Sequence, residues 1–433
     1  MRTNISRAVA LATGAFAWPG LAFSQTVDSG DTAWIMTSTA LVLFMTLPGL
    51  ALFYGGLVRT KNVLSVLMQC FAICCAVTLV WVAFGYSLAF GDSAFGGAGI
   101  VGDFSRAWFA GMDLDTASGS IPESVFATFQ MTFAIITPAL IVGGFAERMR
   151  FSAMLMFSIA WLIVVYLPVT HWVWDDEGWL FQMNFRDFAG GAVVHVNAGV
   201  AALVAAVMIK RRHGFPDTPM APHNMTMTVT GASMLWVGWF GFNGGSALSA
   251  GGAAGMAILV THISAAAGSL SWMAMEWIRF GKPSVLGIVT GMVAGLGTIT
   301  PASGFVGPQG AIIIGLLAGV VCFLATQFIK RKLEIDDSLD VFPVHGVGGF
   351  LGLLLTAFFS VWAGGVAPLA DGQTVGGQFV VQGIGALATA AWCAIATVVL
   401  LKIIGAITPL RVTPDDESQG LDLSQHEERG YNY

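Results

Sequence analysis

Stretches of roughly twenty apolar residues recur along most of this chain, and a helix of about that length just spans the hydrocarbon of a bilayer. They fall at 33–55, 63–90, 122–145, 152–173, 188–209, 226–247, 254–278, 285–301, 308–329, 342–363 and 379–405. The expected fold is therefore an all-α integral membrane protein with eleven transmembrane helices. Glycine or proline interrupts some stretches, which membrane helices tolerate when neighbours satisfy the freed backbone groups. Composition agrees: 56% of the 433 residues are hydrophobic and 10% charged, against about 25% charged in soluble domains. A soluble domain with one anchor does not fit. The 54 glycines suit helices that approach closely in lipid. The net charge of -6 is modest, and no basic patch is interleaved with aromatics, so no nucleic-acid partner is expected.

The first residues carry a different signal. Arg2 and Arg7 precede a short apolar run, Ala8 to Phe23, broken by Pro19 and Gly20, and Ala22-Phe23-Ser24 offers small residues for cleavage. Residues 1–24 read as a secretory signal peptide, with an uncleaved extra helix as the alternative. The membrane domain then covers 25–406, and 407–433 forms a polar, acidic tail, either disordered or a docking segment.

Basic residues set the orientation. Arg59, Lys61, Arg148, Arg150, Lys210, Arg211, Arg212, Arg279, Lys282, Lys330, Arg331, Lys332, Lys402, Arg411 and Arg429 follow odd-numbered spans; only Arg106 and Arg186 follow even ones. Positive loops stay in the cytoplasm. The mature N-terminus is thus expected outside and the C-terminus in the cytoplasm of a multi-pass protein of the cell inner (plasma) membrane. Eleven spans also divide into five plus five plus one. Two inverted halves are a common transporter plan, and here each half would end in a helix that carries a histidine.

Ionisable residues within spans are costly and mark function more often than chance. His195 lies in the fifth span, His345 in the tenth and His262 in the seventh. His262 reads as a helix-contact residue. His195 and His345 are flanked by glycines, and two neutral imidazoles can share one proton, one ring donating and one accepting. Asp187 stands at the start of the fifth span. It reads as a helix cap, or as a carboxylate that stabilises a cation at the outer mouth. Phe129-Gln130-Met-Thr-Phe133, Trp172, Trp174 and the run Trp239 to Ser246 put aromatics near one side of the membrane. Single tryptophans there are usually interface anchors; a Trp and Phe cluster beside a serine can also bind a small cation over its ring faces. The five cysteines sit in apolar runs as small buried hydrophobes. No metal cluster, nucleophile motif or phosphate loop stands out, so neither an enzyme nor a bound cofactor is expected.

Four stretches, in order, resemble the ammonium transporter family (Amt/Mep/Rh): Ala40 to Gly56, Asp187 to Asn197, Trp239 to Ser246, and Asp340 to Gly349. The tail residues Arg411, Glu417, Gly420 to Ser424, His426, Glu428 and Tyr431 are similar to the family's tail as well. The resemblance implies a homotrimer in membrane lipid, with one pore per subunit for ammonium or ammonia. It implies an outer recruitment site of Trp174, Phe133, Phe242 and Ser246 with Asp187 nearby, a gate of Phe133 and Phe242, and a pore lined by Trp239 and the twin histidines His195 and His345. It also makes a PII-type signalling protein a plausible partner at the cytoplasmic face. Ammonium matches potassium in size and charge, but ammonium alone can shed a proton and cross an apolar pore as a neutral molecule. Two other readings are a sodium-coupled symporter, for which no buried carboxylate is evident, and an ammonium sensor that signals through its tail.

Overall fold

The computed structural model describes residues 27–432, so the expected signal peptide lies outside the described residues. Its long helices are α1 (Ser29–Leu57), α2 (Thr60–Phe90), α3 (Glu123–Phe145), α4 (Phe151–Gln182), α5 (Gly191–Ile209), α6 (Met225–Gly245), α7 (Gly252–Phe280), α8 (Val285–Ala302), α9 (Pro308–Lys332), α10 (Phe342–Phe359) and α11 (Val375–Ile407). Among the described residues ten of these are long and apolar enough to cross a membrane. The exception is α6, whose threonines and Asn243 dilute its 21 residues.

Local signals explain the starts. Asp28, Asn224, Ser284 and Thr374 each turn a side-chain oxygen onto a backbone N–H three residues on, which caps α1, α6, α8 and α11. Gly281, in the left-handed region at φ 78°, ends α7.

The connections gather on two faces. On one face, Trp179 N–H bonds Gly99 O, Ala250 N–H bonds Asp31, and Val366 N–H bonds Phe305 O. On the other, the connections after α1, α3 and α5 meet the C-terminal tail, and the loop after α9 meets Arg148 and Arg212 beside them. We call these the far face and the tail face.

The tail is a docked segment. After α11 it forms two short helices, α12 (Pro414–Gln419) and α13 (Leu421–His426). The buried Glu417 carboxylate accepts from His213 N–H at 2.7 Å and from Arg411 at 2.6 Å. Asp422 accepts from Ser65 N–H at 2.7 Å, and Asn62 Oδ1 accepts from Leu421 N–H at 2.8 Å. Beneath it, Arg212 pairs with Asp336 at 2.7 Å and with Glu147 at 2.8 Å. Burial pushes the Glu147 carboxyl up, but the guanidiniums of Arg212 and Arg59 outweigh burial and hold it below its ordinary value. For Asp336 burial is likewise outweighed by Arg212, leaving it at about 2.

Carboxylates are thus buried after all, contrary to the reading of the sequence alone. Glu147, Asp187, Asp336 and Asp337 are each at most 6% exposed. They lie outside the apolar helices, in connections that fold back into the mouths of the bundle, and mostly beside arginines or backbone N–H groups. His262 is exposed on α7 in the single chain, with the Trp236 ring centroid at 5.2 Å and Phe240 at 5.9 Å.

Candidate functional site

Where α5 and α10 cross, the backbones touch. A Cβ on Gly199 would lie 2.3 Å from Gly346 N, and one on Gly349 would lie 2.8 Å from the Cβ of His195. Only glycine permits this approach, and it brings the two histidines together. Each histidine sits in a π-helical turn at the start of its helix, Gly191–Val196 and Phe342–Gly346. Such turns are rare and are frequent at functional sites.

The rings of His195 and His345 face each other with Nδ1 to Nδ1 at 3.2 Å, centroids 5.2 Å apart and planes 28° apart. Both are buried, at 1% and 4% exposure. Two Nδ1 atoms at this distance share one proton, so one ring donates and the other accepts. His195 Nε2 is buried without a partner. The Trp239 indole stacks on His195 at 5.5 Å and 27°, and its N–H donates to Thr300 Oγ1 at 2.9 Å. Thr300 in turn donates to Leu296 O at 2.8 Å, so the indole plane is fixed from α8.

Three cavities line up along this file of rings. Between Phe242 and His345 is a chamber of about 10 Å³ walled by aliphatic side chains such as Leu50, Ile136, Leu235 and Val293. That volume admits about one water-sized molecule. On the far-face side, Phe133 and Phe242 close the file with centroids 4.3 Å apart. Beyond them a cavity of about 120 Å³ is lined by Phe133, Trp174, Ser246, Gln130, Phe126 and Phe188, among others. Trp174 stands edge-on to Phe133 at 89°, held by an N–H bond to Asp187 O at 2.9 Å. The Ser246 hydroxyl donates to Phe242 O at 2.9 Å, which leaves its lone pairs free. On the tail-face side, a cavity of about 90 Å³ runs from His345 past Thr290 and Tyr54 to Lys330 and Asp340.

Of the residues expected from sequence, Trp174, Phe133 and Ser246 line one cavity, Phe242 lines the chamber below, and His195, His345 and Trp239 adjoin in the file. Asp187 lines neither. Its carboxylate accepts from the N–H groups of Gly190, Gly191, Ala192 and Val193 at 2.9, 2.5, 2.7 and 3.3 Å. It caps the helix that carries His195 and reaches Trp174 only through its backbone carbonyl.

Three participants escaped the sequence reading. Thr300 and Gln130 gave no local signal. Asp337 did: it precedes His345 by eight residues, as Asp187 precedes His195. Asp337 Oδ2 accepts from Phe342 N–H at 2.7 Å at the start of α10, while its Oδ1 has no partner. Burial, with the nearby Asp340 carboxylate, pushes Asp337 up to about 7.

A bundle of apolar helices threaded by a nearly sealed, ring-lined path is the architecture of a membrane transport protein. Residues 33–431 match the family model described as Ammonium Transporter Family. The chain is 47% identical over 410 residues to the ammonium transporter of Bacillus subtilis, covering 94% of this chain and 99% of the relative. It is 44% identical to that of Aquifex aeolicus, with 94% of both chains covered. Among solved structures it resembles Saccharomyces cerevisiae Mep2, with a TM-score of 0.81, 36% identity and coverage of 90% and 91%. It also resembles a sensor Amt protein, with a TM-score of 0.85, 30% identity and coverage of 92% and 98%. The chain belongs to the ammonium transporter family.

Proposed function

We propose that the chain moves ammonium across the membrane by taking it apart at the far face and conducting ammonia through the chamber. The observation that carries this reading is the chamber of about 10 Å³ between the phenylalanine pair and the histidine pair. A hydrated cation does not fit there, and a bare cation in so apolar a space is strongly disfavoured. A neutral molecule of the size of water does fit.

In this reading ammonium collects in the far-face cavity. The ring faces of Phe133 and Trp174 attract it, and the Ser246 hydroxyl accepts one of its N–H bonds. It gives up a proton at the phenylalanine pair, which parts to admit ammonia. Ammonia passes Trp239 and the histidines and regains a proton in the tail-face cavity, and the shared proton of His195 and His345 offers a separate path for the one left behind. Asp187 acts through structure: its carboxylate fixes the start of α5, and so His195, and its carbonyl fixes Trp174.

The far face is read as the outside, because 15 basic residues cluster at tail-face connections against Arg106 and Arg186 on the other side. That places the C-terminus in the cytoplasm. Counting α6 as a span gives eleven crossings, consistent with a cleaved signal peptide, a homotrimer in the inner (plasma) membrane, and a PII-type regulator at the tail face.

The test is current in proteoliposomes on an ammonium pulse. The wild type is expected to respond; His195→Ala and His345→Ala are expected to lose most of the signal, and an aspartate at either position to admit potassium. Unchanged flux and selectivity in all variants would refute the relay. A second reading, a sensor, is favoured by the docked tail and by the resemblance to a sensor Amt protein. It predicts ligand binding with no methylammonium flux.

A further inference from the structure

We propose that the tail-face ends of α7 and α9 bind an anionic phospholipid of the adjoining leaflet, with its phosphate among Arg279, Lys282, Arg331 and Lys332 and an acyl chain along α9.

The two helices end side by side. The Phe280 and Phe323 ring centroids are 6.0 Å apart, and the Arg331 guanidinium lies over the Phe280 ring at 5.2 Å. One residue on, the Lys332 ammonium lies over the Phe328 ring at 5.5 Å. Arg279, in the last turn of α7, and Lys282, just past its end, add two more cations. All four cations and both of the rings beneath them are exposed.

These cations differ from others on the same face. Arg59 and Arg212 pair with Glu147, Lys330 with Asp340, Arg411 with Glu417 and Arg211 with Glu334. Among the described residues Arg279, Lys282, Arg331 and Lys332 take part in no ion pair. The acid nearest in sequence to Arg279, Glu276, already accepts from Ser284 N–H at 2.7 Å and from its hydroxyl at 3.1 Å. Membrane orientation requires only that positive charges stand on this side, and a helix C-terminus favours them weakly. Neither effect lays two of them over exposed rings. A cation seated on a ring at the edge of the hydrocarbon is within reach of lipid phosphate, and a basic cluster there is the pattern that attracts anionic headgroups.

α9 offers a place for the chain. Ile313, Leu317, Leu324 and Phe328 are exposed and recur at helical spacing, so they form one apolar stripe. Arg331 and Lys332 follow at its tail-face end. The stripe is about 22 Å long, enough to cross one leaflet's hydrocarbon of about 15 Å. An apolar stripe that ends in cations has the polarity of a phospholipid. The headgroup selects among lipids. The guanidinium fork of Arg331 suits phosphate oxygens. A choline headgroup brings a cation of its own into the cluster, and a glycerol headgroup brings none.

The experiment uses the full chain in vesicles of phosphatidylglycerol and phosphatidylcholine with identical acyl chains, brominated in one lipid at a time. Phe328→Trp keeps a ring beneath Lys332 and serves as the reporter, read as the emission it adds to that of the parent chain. Brominated phosphatidylglycerol is expected to quench the reporter more than brominated phosphatidylcholine does, with a preference of about fivefold, the worth of one cation near an anionic surface. The preference should shrink in about 0.5 M salt. Arg331→Gln with Lys332→Gln should bring it close to one, and Lys402→Gln, at the end of α11, should leave it unchanged. Each variant is first checked for wild-type elution in detergent. If the double variant does not fold, Arg279→Gln with Lys282→Gln decides in its place, with the same expected direction.

Equal quenching by the two lipids would overturn the inference, as would a preference that survives loss of the two cations. An equal loss in Lys402→Gln would mean a diffuse surface charge in place of a site and would overturn it too. A reporter quenched by neither lipid would mean that protein, such as a second copy of the chain, covers this face, and the inference would fail.

Discussion

The starts of α5 and α10 are built alike and finished differently. Each opens with a π-helical turn, each carries a histidine of the facing pair, and each has an aspartate eight residues before that histidine. At the far-face end, Asp187 is saturated by four backbone N–H groups. At the tail-face end, Asp337 bonds Phe342 N–H, keeps an unpartnered Oδ1 and faces the like charge of Asp340. A carboxylate that receives four N–H bonds has its oxygens filled and serves as a clamp, even though burial outweighs those bonds and pushes it above its ordinary value. A carboxylate buried with few donors beside another acid is poised to take up a proton. The same residue at the same spacing therefore fixes a helix at one mouth and titrates at the other.

The strongest way to break this contrast is Asp187→Ala. It would leave buried N–H groups of Gly190 to Val193 without acceptors, each orphan costing on the order of 1–3 kcal/mol. A loss above about 3 kcal/mol is expected, read as a large drop in thermal unfolding temperature in detergent or as aggregation. A well-folded Asp187→Ala protein would contradict the clamp. Next comes Asp337→Asn, which keeps an oxygen for Phe342 N–H. The folded value of Asp337, about 7, lies above its ordinary 3.8, so folding favours the protonated acid. Its contribution to stability is full below the unfolded value and is lost as pH rises through the folded one. Wild-type stability should accordingly carry a decline between about pH 4 and 7 that Asp337→Asn lacks, and the variant should be no less stable at pH 8. A wild-type profile that superimposes on that of Asp337→Asn is incompatible with a titrating Asp337. The smallest effect is expected of Lys330→Met. Its 2.8 Å pair with Asp340 is partly exposed and is worth under about 1 kcal/mol. Because the Lys330 charge draws the Asp337 value downward, its removal should nonetheless move the pH-dependent decline upward. A decline that moves down or stays put would mean the step belongs to another group.

Much of the fold was legible because bilayer thickness imposes a length, and the apolar stretches became helices whose ends moved by only a few residues, the end of α4 excepted. The stretch at 188–209, for example, starts as helix at Gly191, after the capping loop. α6 was counted as a span although its threonines and Asn243 keep it outside the ten apolar helices. The ring file from Phe133 to His345 was suggested by resemblance rather than spacing, since its members come from four different helices. The buried charges were not legible. Arg212 meets Asp336 across 124 residues and Glu147 across 65, and no local pattern selects a partner over such separations. Asp337 was open to view, but the rule that finds it is a repeat of spacing between two halves, and the halves were compared through their histidines alone.

The chamber has a further consequence, for speed. A carrier that encloses a hydrated ion rocks whole halves of the molecule on a microsecond to millisecond scale. A passage that holds one water-sized guest needs only that the rings of Phe133 and Phe242, 4.3 Å apart, swing aside. Side-chain rotations of that kind displace a few atoms rather than whole helices, and in exposed residues they take picoseconds to nanoseconds. The bundle can then stay still while its cargo moves, and because the chamber has no room for a hydrated ion, a cell could keep this path open without leaking potassium or sodium through it.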